Sequence, residues 1–153
     1  KAIDFKLIGS DLSQKTLTDY AGKKIILNIF PSIDTGTCAT SVRKFNQSAS
    51  NLANTTVLCI SRDLPFAQKA FCAAEGLDNV IMLSDFKNGD FGKAYGLIMI
   101  DGGFDALLSR CVIIADKSGK IIYTEHQHLY ITKTLLLALI HRFFQWLMRV
   151  KFR

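Results

Sequence analysis

One of the four cysteines, Cys38, stands where a thiol can act as a nucleophile. It ends the stretch Pro31-Ser-Ile-Asp-Thr-Gly-Thr-Cys38, which follows a strand-like apolar run and precedes a helix-like segment. Backbone N–H groups at a helix start lack intrahelical partners and carry partial positive charge, so they favour a thiolate over a thiol. A free cysteine is also a common core residue. Position alone therefore leaves both an attacking thiolate and an inert, packed thiol open.

The spacing before Cys38 resembles the active-site signature of the peroxiredoxins. Pro31, Thr35 and Cys38 fall on its three fixed positions. Further stretches are similar, more narrowly, to the bacterial thiol peroxidase branch of that family: residues 27–47, Val57-Leu-Cys-Ile-Ser61, Asp63-Leu-Pro-Phe-Ala-Gln68 and Phe71-Cys72. The resemblance covers most of the chain, from Phe5 to Tyr123, and fades at both ends.

The resemblance implies both a fold and an activity. The fold is the thioredoxin fold of the peroxiredoxin type, an α/β domain with a central mixed β-sheet flanked by helices. The activity is a thiol-dependent peroxidase of antioxidant defence, which reduces hydrogen peroxide and organic hydroperoxides and is recycled by thioredoxin. The family pattern also implies a homodimer and a reaction without metal or other cofactor.

Peroxide reduction by a thiol sets three demands: the sulfur must be ionised, the O–O bond aligned and the developing negative charge stabilised. The resemblance makes Cys38 the peroxidatic nucleophile, lets the Thr35 hydroxyl bind thiolate and peroxide, and makes Pro31 a shield against water. It places the family's arginine at Arg110, whose permanent charge can reach sulfur and peroxide oxygen together. Without the resemblance, Thr35 is as readily a helix cap, Pro31 a strand terminator and Arg110 a solvated charge at a strand end.

A second thiol is needed to complete turnover. The attack leaves a sulfenic acid on Cys38, which another thiol can condense to a disulfide. The resemblance assigns the resolving role to Cys72 and thus implies an intrachain Cys38–Cys72 disulfide. The alternative is that Cys72 only packs its helix. We interpret Cys59 and Cys111 as core thiols, since both lie within apolar strand patterns.

Chain length, charge and cysteine spacing limit the possible classes of protein and of functional site. The 153 residues are 49% hydrophobic, which suits one globular α/β domain. The net charge of +6 comes largely from five basic residues after position 130, and the remainder has 14 basic against 13 acidic residues. We therefore expect no nucleic-acid surface in the main domain. The absence of a Cys-x-x-Cys pair weakens a zinc site and a thioredoxin-type dithiol.

The elements that must position Cys38 follow from hydrophobic periodicity. Residues 23–30 are two lysines followed by the apolar run Ile-Ile-Leu-Asn-Ile-Phe30, which is typical of a buried central strand, and a helical pattern begins at Thr37. The remaining patterns predict strands at 2–8, 57–61, 79–84, 110–115 and 120–124, helices at 65–76 and 90–95, one helical turn at 16–20, and loops at 9–13 and 96–108.

The C-terminal segment departs from the family pattern. We divide the chain into a peroxidase domain, 1–130, and a divergent segment, 131–153, in which 14 of 23 residues are apolar and most others basic. A helix with Leu136, Ile140, Phe143 and Leu147 on one face is expected, too interrupted to cross a bilayer. It packs on its own domain, or it binds a membrane surface. An error of reading frame in the sequence is a third explanation.

The sequence leaves alternatives for the cellular compartment and for the function. The polar opening Lys-Ala-Ile-Asp-Phe is no targeting segment, so we expect the cytoplasm. The periplasm stays open because the family normally carries a further N-terminal hairpin, which suggests an incomplete N-terminus. The alternative function is a redox-sensing or metal-binding thiol module without turnover, in which His126 and His128 join the cysteines. Such alternating polar residues at a strand end are usually solvated.

Overall fold

A computed structural model describes residues 1–127 and 133–150 of the chain. Its strands are β1 Lys6–Gly9, β2 Gln14–Thr16, β3 Lys24–Ile29, β4 Thr55–Ser61, β5 Ile81–Ser84, β6 Cys111–Ala115 and β7 Ile121–His126. They form one mixed sheet in the order β2-β1-β5-β4-β3-β6-β7. The neighbours β3, β4 and β5 run parallel, and every other pairing is antiparallel. The predicted fold class is confirmed.

The helices lie on both faces of this sheet. They are α1 Gly36–Ala49, α2 Pro65–Glu75, α3 Asp90–Ala94 and α4 Lys133–Val150. Side chains of α1, α2 and α4 pack on one face, together with Ile26 and Cys59. The short α3 and the N-terminal segment cover the other face, where Leu27 and Leu58 point. Successive residues of a strand point to opposite faces, so each central strand is buried on both sides.

Strand β3 precedes the loop that leads to Cys38, and it lies between β4 and β6 in the sheet. Five of its six residues are buried, as the continuous apolar run predicted. Its register places Asn28 opposite Cys59 on β4 and Ile29 opposite Cys111 on β6. The loops after the parallel strands β3 and β4 therefore meet at one edge of the sheet.

Several predicted strand ends differ from the structure, and one strand at the edge of the sheet was not predicted. β1 begins at Lys6 rather than at residue 2, and β5 begins at Ile81 rather than at residue 79. Strand β2 was not predicted, because Gln14-Lys15-Thr16 has no apolar alternation. It exists because its backbone pairs with β1 across the turn at 9–13. Backbone pairing of polar edge residues leaves no hydrophobic signal in the sequence.

Helix α4 is the described part of the C-terminal segment. It buries Ile140, Phe143 and Leu147 in the core beside α1, and Phe143 lies 5.8 Å from the Phe45 ring and 5.4 Å from the Tyr123 ring, between centroids. Residues 131, 132 and 151–153 and the side chain of Leu136 lie outside the described residues. Among the helices that the structure describes, none is long and apolar enough to cross a membrane. The division at residue 130 stays a prediction.

Candidate active site

The residues Pro31 to Thr35, here the nucleophile loop, connect β3 to α1. Thr35 is the N-cap of α1: its Oγ1 accepts the backbone N–H of Cys38 at 3.4 Å, and its hydroxyl donates to the Ser32 carbonyl at 3.1 Å. Pro31 is buried at the start of the loop. These contacts place Cys38 in the first turn of α1, where unpaired N–H groups favour a thiolate.

Arg110 reaches Cys38 from the other side of the site. Its Nη2 donates to the Cys38 sulfur at 3.1 Å, across 72 positions of sequence. Arg110 immediately precedes β6, and it points to the α1 face because Val112 and Ile114, at alternate positions, do so. The arginine is 4% exposed and the cysteine 0%. A buried guanidinium is costly unless its charge is used, and here it faces a sulfur that can carry a negative charge.

Arg110 has two further donor nitrogens in this buried region. Its Nε and Nη1 are buried and have no hydrogen-bond partner within the part of the chain that the structure describes. Buried polar atoms are nearly always paired, so unpaired donors beside a reactive sulfur mark a place for an acceptor atom of a ligand. The Arg110 guanidinium can therefore bind the Cys38 thiolate and, at the same time, an oxygen atom of a ligand.

Thr35 is placed near Cys38 but contacts its backbone only. Within residues 1–127 and 133–150, no hydrogen bond joins the Thr35 hydroxyl to the Cys38 sulfur, and its proton goes to the Ser32 carbonyl. The structure thus brings together Pro31, Thr35, Cys38 and Arg110, with the threonine acting as helix cap in this state.

Cys59 and Cys111 are core thiols, in agreement with the sequence interpretation. Burial raises the pKa of the Cys59 thiol to about 12 and that of Cys111 to about 11. Asn28 donates its side-chain amide to the Cys59 sulfur at 3.5 Å. Neither thiol ionises near neutral pH, so neither is a nucleophile in this form.

Cys72 lies on α2, apart from Cys38, and all four cysteines are unpaired. The Cys72 side chain is partly buried. Burial raises the pKa of its thiol, and the nearby Asp78 carboxylate raises it further. It lines a cavity of about 320 Å³ that opens to solvent. The helices α1 and α2 are held side by side by a bidentate pair, in which Arg43 donates to Glu75 at 2.7 and 2.8 Å. The two cysteines therefore lie on neighbouring helices of one face.

The metal alternative finds little support around His126. Its ring lies 3.1 Å from the Ser109 hydroxyl at the exposed end of β7, and His128 lies outside the described residues. Where the structure describes the chain, no three His, Cys, Asp or Glu side chains are grouped to hold an ion.

Sequence reasoning missed Asp63 as a residue of this region. Its Oδ1 accepts the Ser32 hydroxyl and its Oδ2 accepts the Ile33 backbone N–H, each at 2.7 Å. The sequence pattern could have indicated Asp63. It follows β4 as the nucleophile loop follows β3, and the carboxyl ends of parallel neighbouring strands lie at the same edge of a sheet.

The chain matches a family model, curated proteins and solved structures. The family model described as Redoxin matches residues 1–134. A thiol peroxidase of Corynebacterium glutamicum is 50% identical over 122 residues, 80% of this chain and 73% of that protein. One of Streptococcus agalactiae is 53% identical over 125 residues, 82% of this chain and 74% of that protein. A peroxiredoxin-like protein from Aquifex aeolicus has a TM-score of 0.77 at 33% identity, covering 82% of this chain and 73% of that chain.

Proposed function

We propose, since the chain belongs to the redoxin family and is a peroxidase of the peroxiredoxin type, that Cys38 is the thiol that attacks its hydroperoxide substrate. The observation that supports this role is the 3.1 Å contact between Arg110 Nη2 and the Cys38 sulfur. Among the described residues, no other cysteine has both a helix start and a cation at its sulfur.

The first step is a displacement at oxygen. The Cys38 thiolate attacks one oxygen of the hydroperoxide, an S–O bond forms and the O–O bond breaks. The other oxygen leaves with the bonding electron pair and takes a proton, giving water from hydrogen peroxide or an alcohol from an organic hydroperoxide. Cys38 is oxidised to a sulfenic acid. Negative charge moves from sulfur to the leaving oxygen, so a fixed cation that reaches both atoms lowers the barrier.

The residues around Cys38 have separate parts in this step. Arg110 stabilises the thiolate through Nη2, and its unpaired Nε and Nη1 are the donors we assign to the peroxide oxygens. We assign Thr35 to hold the first turn of α1 and to offer its oxygen to the bound peroxide. Pro31, buried and without an N–H, excludes water from the loop.

The second step forms the disulfide. We propose that the Cys72 thiol condenses with the Cys38 sulfenic acid, forming the S–S bond and releasing water. A disulfide needs Cα atoms within about 7 Å, and these residues occupy separate intact helices. One or both helices must therefore unwind locally before the bond closes. Gly76, in the left-handed conformation at the end of α2, makes that unwinding less costly there.

The partners follow from the cycle. An oxidised Cys38–Cys72 pair must be reduced, and we infer a thioredoxin-type dithiol as the reductant and a cytoplasmic setting for it. Because the relatives are thiol peroxidases, we also infer antioxidant defence as the role and a homodimer as the working form.

Helix α4 belongs, in this proposal, to the packed domain. Its buried residues Ile140, Phe143 and Leu147 fill the face beside α1, while His141, Arg142 and Gln145 are exposed. The alternative is that this basic side binds a membrane surface.

The decisive experiment is a peroxide-consumption assay coupled to thioredoxin and its reductase. The chain and Cys59→Ala should turn over hydrogen peroxide, while Cys38→Ser should not. Cys72→Ser should complete one attack and then stop under thioredoxin. A chain that is oxidised once without turnover would favour the redox-sensing alternative, and an active Cys38→Ser would remove the assignment of the nucleophile.

A further inference from the structure

A chain of polar side chains runs beneath the nucleophile loop and has no part in the chemistry described above. Asp63 accepts hydrogen bonds from Ser32 and from the Ile33 backbone, both in the nucleophile loop, at 2.7 Å. The Ser61 hydroxyl donates to Asp63 Oδ2 at 2.7 Å, and the Gln68 side-chain amide donates to Ser61 Oγ at 3.0 Å. The chain is continuous from the nucleophile loop, through the end of β4, to helix α2.

The central part of this chain is deeply buried. Ser61 and Gln68 are both 0% exposed. The Gln68 amide makes a second hydrogen bond, to the Leu83 carbonyl at 3.0 Å, but its Oε1 has no partner in the described part of the chain. A buried amide with an unpaired oxygen costs stability. The two Gln68 N–H···O bonds therefore hold α2 in place. The unpaired Oε1 has the opposite effect, because unwinding of α2 exposes this oxygen to water, where it can form a hydrogen bond.

Gln68 also has a particular position relative to Cys72. The two residues are four positions apart on α2, which places them on the same side of the helix, one turn apart. Both line the cavity beside α2. Unwinding of α2 that includes both residues therefore breaks the Gln68 hydrogen bonds.

We propose that Ser61, held between Asp63 and Gln68, is a positioning residue that ties the nucleophile loop to α2, so that the two segments open together. Its role in turnover rests on the proposed function: joint opening precedes condensation of the Cys38 sulfenic acid with the Cys72 thiol, in which the S–S bond forms and water leaves. The tie itself is a property of the reduced protein and is testable without peroxide.

The first test is amide hydrogen exchange of the reduced chain, followed by mass spectrometry. Ser61→Ala removes only the bridging oxygen. It should accelerate exchange in both 32–38 and 65–76 by at least about fivefold, the factor expected from one net hydrogen bond. The matched control is Ser118→Ala, which removes a similar bond of 2.6 Å to Asp116 in the β6–β7 turn and should change neither segment. Acceleration in one segment only, in neither, or equally in the control would overturn the tie.

The second test separates the two chemical steps by rapid quenching and mass spectrometry. Ser61→Ala should speed conversion of the sulfenic acid to the disulfide at least about threefold, since less is needed to open α2. Sulfenic acid formation should stay within about twofold of the parent, because exchange reports only rare openings of the loop, and in the closed form Asp63 still bonds Ser32 and Ile33. A merely structural residue would slow both steps or neither. An unchanged or slower disulfide step would overturn the role in turnover.

A second variant tests whether the residues act as one unit. Gln68→Leu removes the other end of the bridge and fills a similar volume. If Ser61 and Gln68 belong to one tie, the double variant should exchange no faster than the faster single variant. Additive effects would overturn the proposal. If the parent chain forms no sulfenic acid with peroxide, the proposed function fails, while the exchange measurements still decide the tie.

Discussion

The contact between Arg110 and Cys38 makes the most demanding prediction. Arg110→Met keeps the length of the side chain, removes its charge and removes all its N–H donors. The parent guanidinium is buried and bonds the sulfur at 3.1 Å, and two of its donor nitrogens have no partner among residues 1–127 and 133–150. The variant should therefore lose the stabilisation of both the thiolate and the oxygen that receives charge from it.

The size of the effect follows from the number of contacts. Loss of one charge-assisted hydrogen bond to the sulfur costs about 1.5–3 kcal/mol. Loss of one fixed donor to the developing oxygen charge costs about 2.7–4 kcal/mol. Together they predict that kcat/KM for hydrogen peroxide falls by roughly 10³- to 10⁵-fold. Stability should hardly change, because methionine fills the space with apolar atoms and no unpaired N–H group remains buried.

The measurement combines the rate of sulfenic acid formation with thermal unfolding of the same samples. Arg142→Met, an exposed arginine on α4, is the matched control and should stay within about twofold in rate, as surface charges usually do. Near-parent activity in Arg110→Met would refute the electrostatic reasoning and return Arg110 to a packing role. A loss of activity that only parallels a large fall in Tm would refute it equally.

Three further predictions follow from the thiols and from the C-terminal segment. One equivalent of peroxide should leave an intrachain Cys38–Cys72 disulfide, found by mass mapping, and Cys72→Ser should accumulate sulfenic acid and then over-oxidised Cys38. The pKa of Cys59 is raised from 9.0 to about 12 and that of Cys111 from 9.0 to about 11, so the unfolded thiols release protons first as pH rises. The free energy of unfolding should thus be unaffected by them below pH 9 and fall by up to about 1.4 kcal/mol per pH unit for each thiol above it, with Cys59→Ala removing one share. Truncation after Tyr130 should lower Tm and expose apolar surface to a hydrophobic dye, because α4 no longer covers its face of the core.

Each of these has a result that would contradict it. A link between chains, or from Cys38 to a core cysteine, would remove Cys72 from the resolving role. An unfolding profile for Cys59→Ala with the same slope as the parent above pH 9 would mean that the thiol is not protected by burial. A truncated chain that stays folded and active, but no longer binds anionic vesicles bound by the full chain, would favour the membrane-surface role of the tail.

The site could be predicted in part because much of it is local in sequence. The nucleophile loop and the first turn of α1 are continuous, so the spacing of Pro31, Thr35 and Cys38 places a cysteine at a helix start before any tertiary contact is considered. The buried β3 was predicted for the same reason: a run of apolar residues needs no partner to be recognised. The periphery was harder, since the polar strand β2 is made by backbone pairing alone.

The sequence by itself therefore determined which elements form around Cys38. Only the tertiary structure decided that Arg110 lies 3.1 Å from the sulfur and that Asp63, Ser61 and Gln68 join the nucleophile loop to α2. The physical reason is that these contacts depend on sheet order and register. Where β3 lies between β4 and β6, residues far apart in sequence meet at one edge, and no local propensity specifies which strands become neighbours.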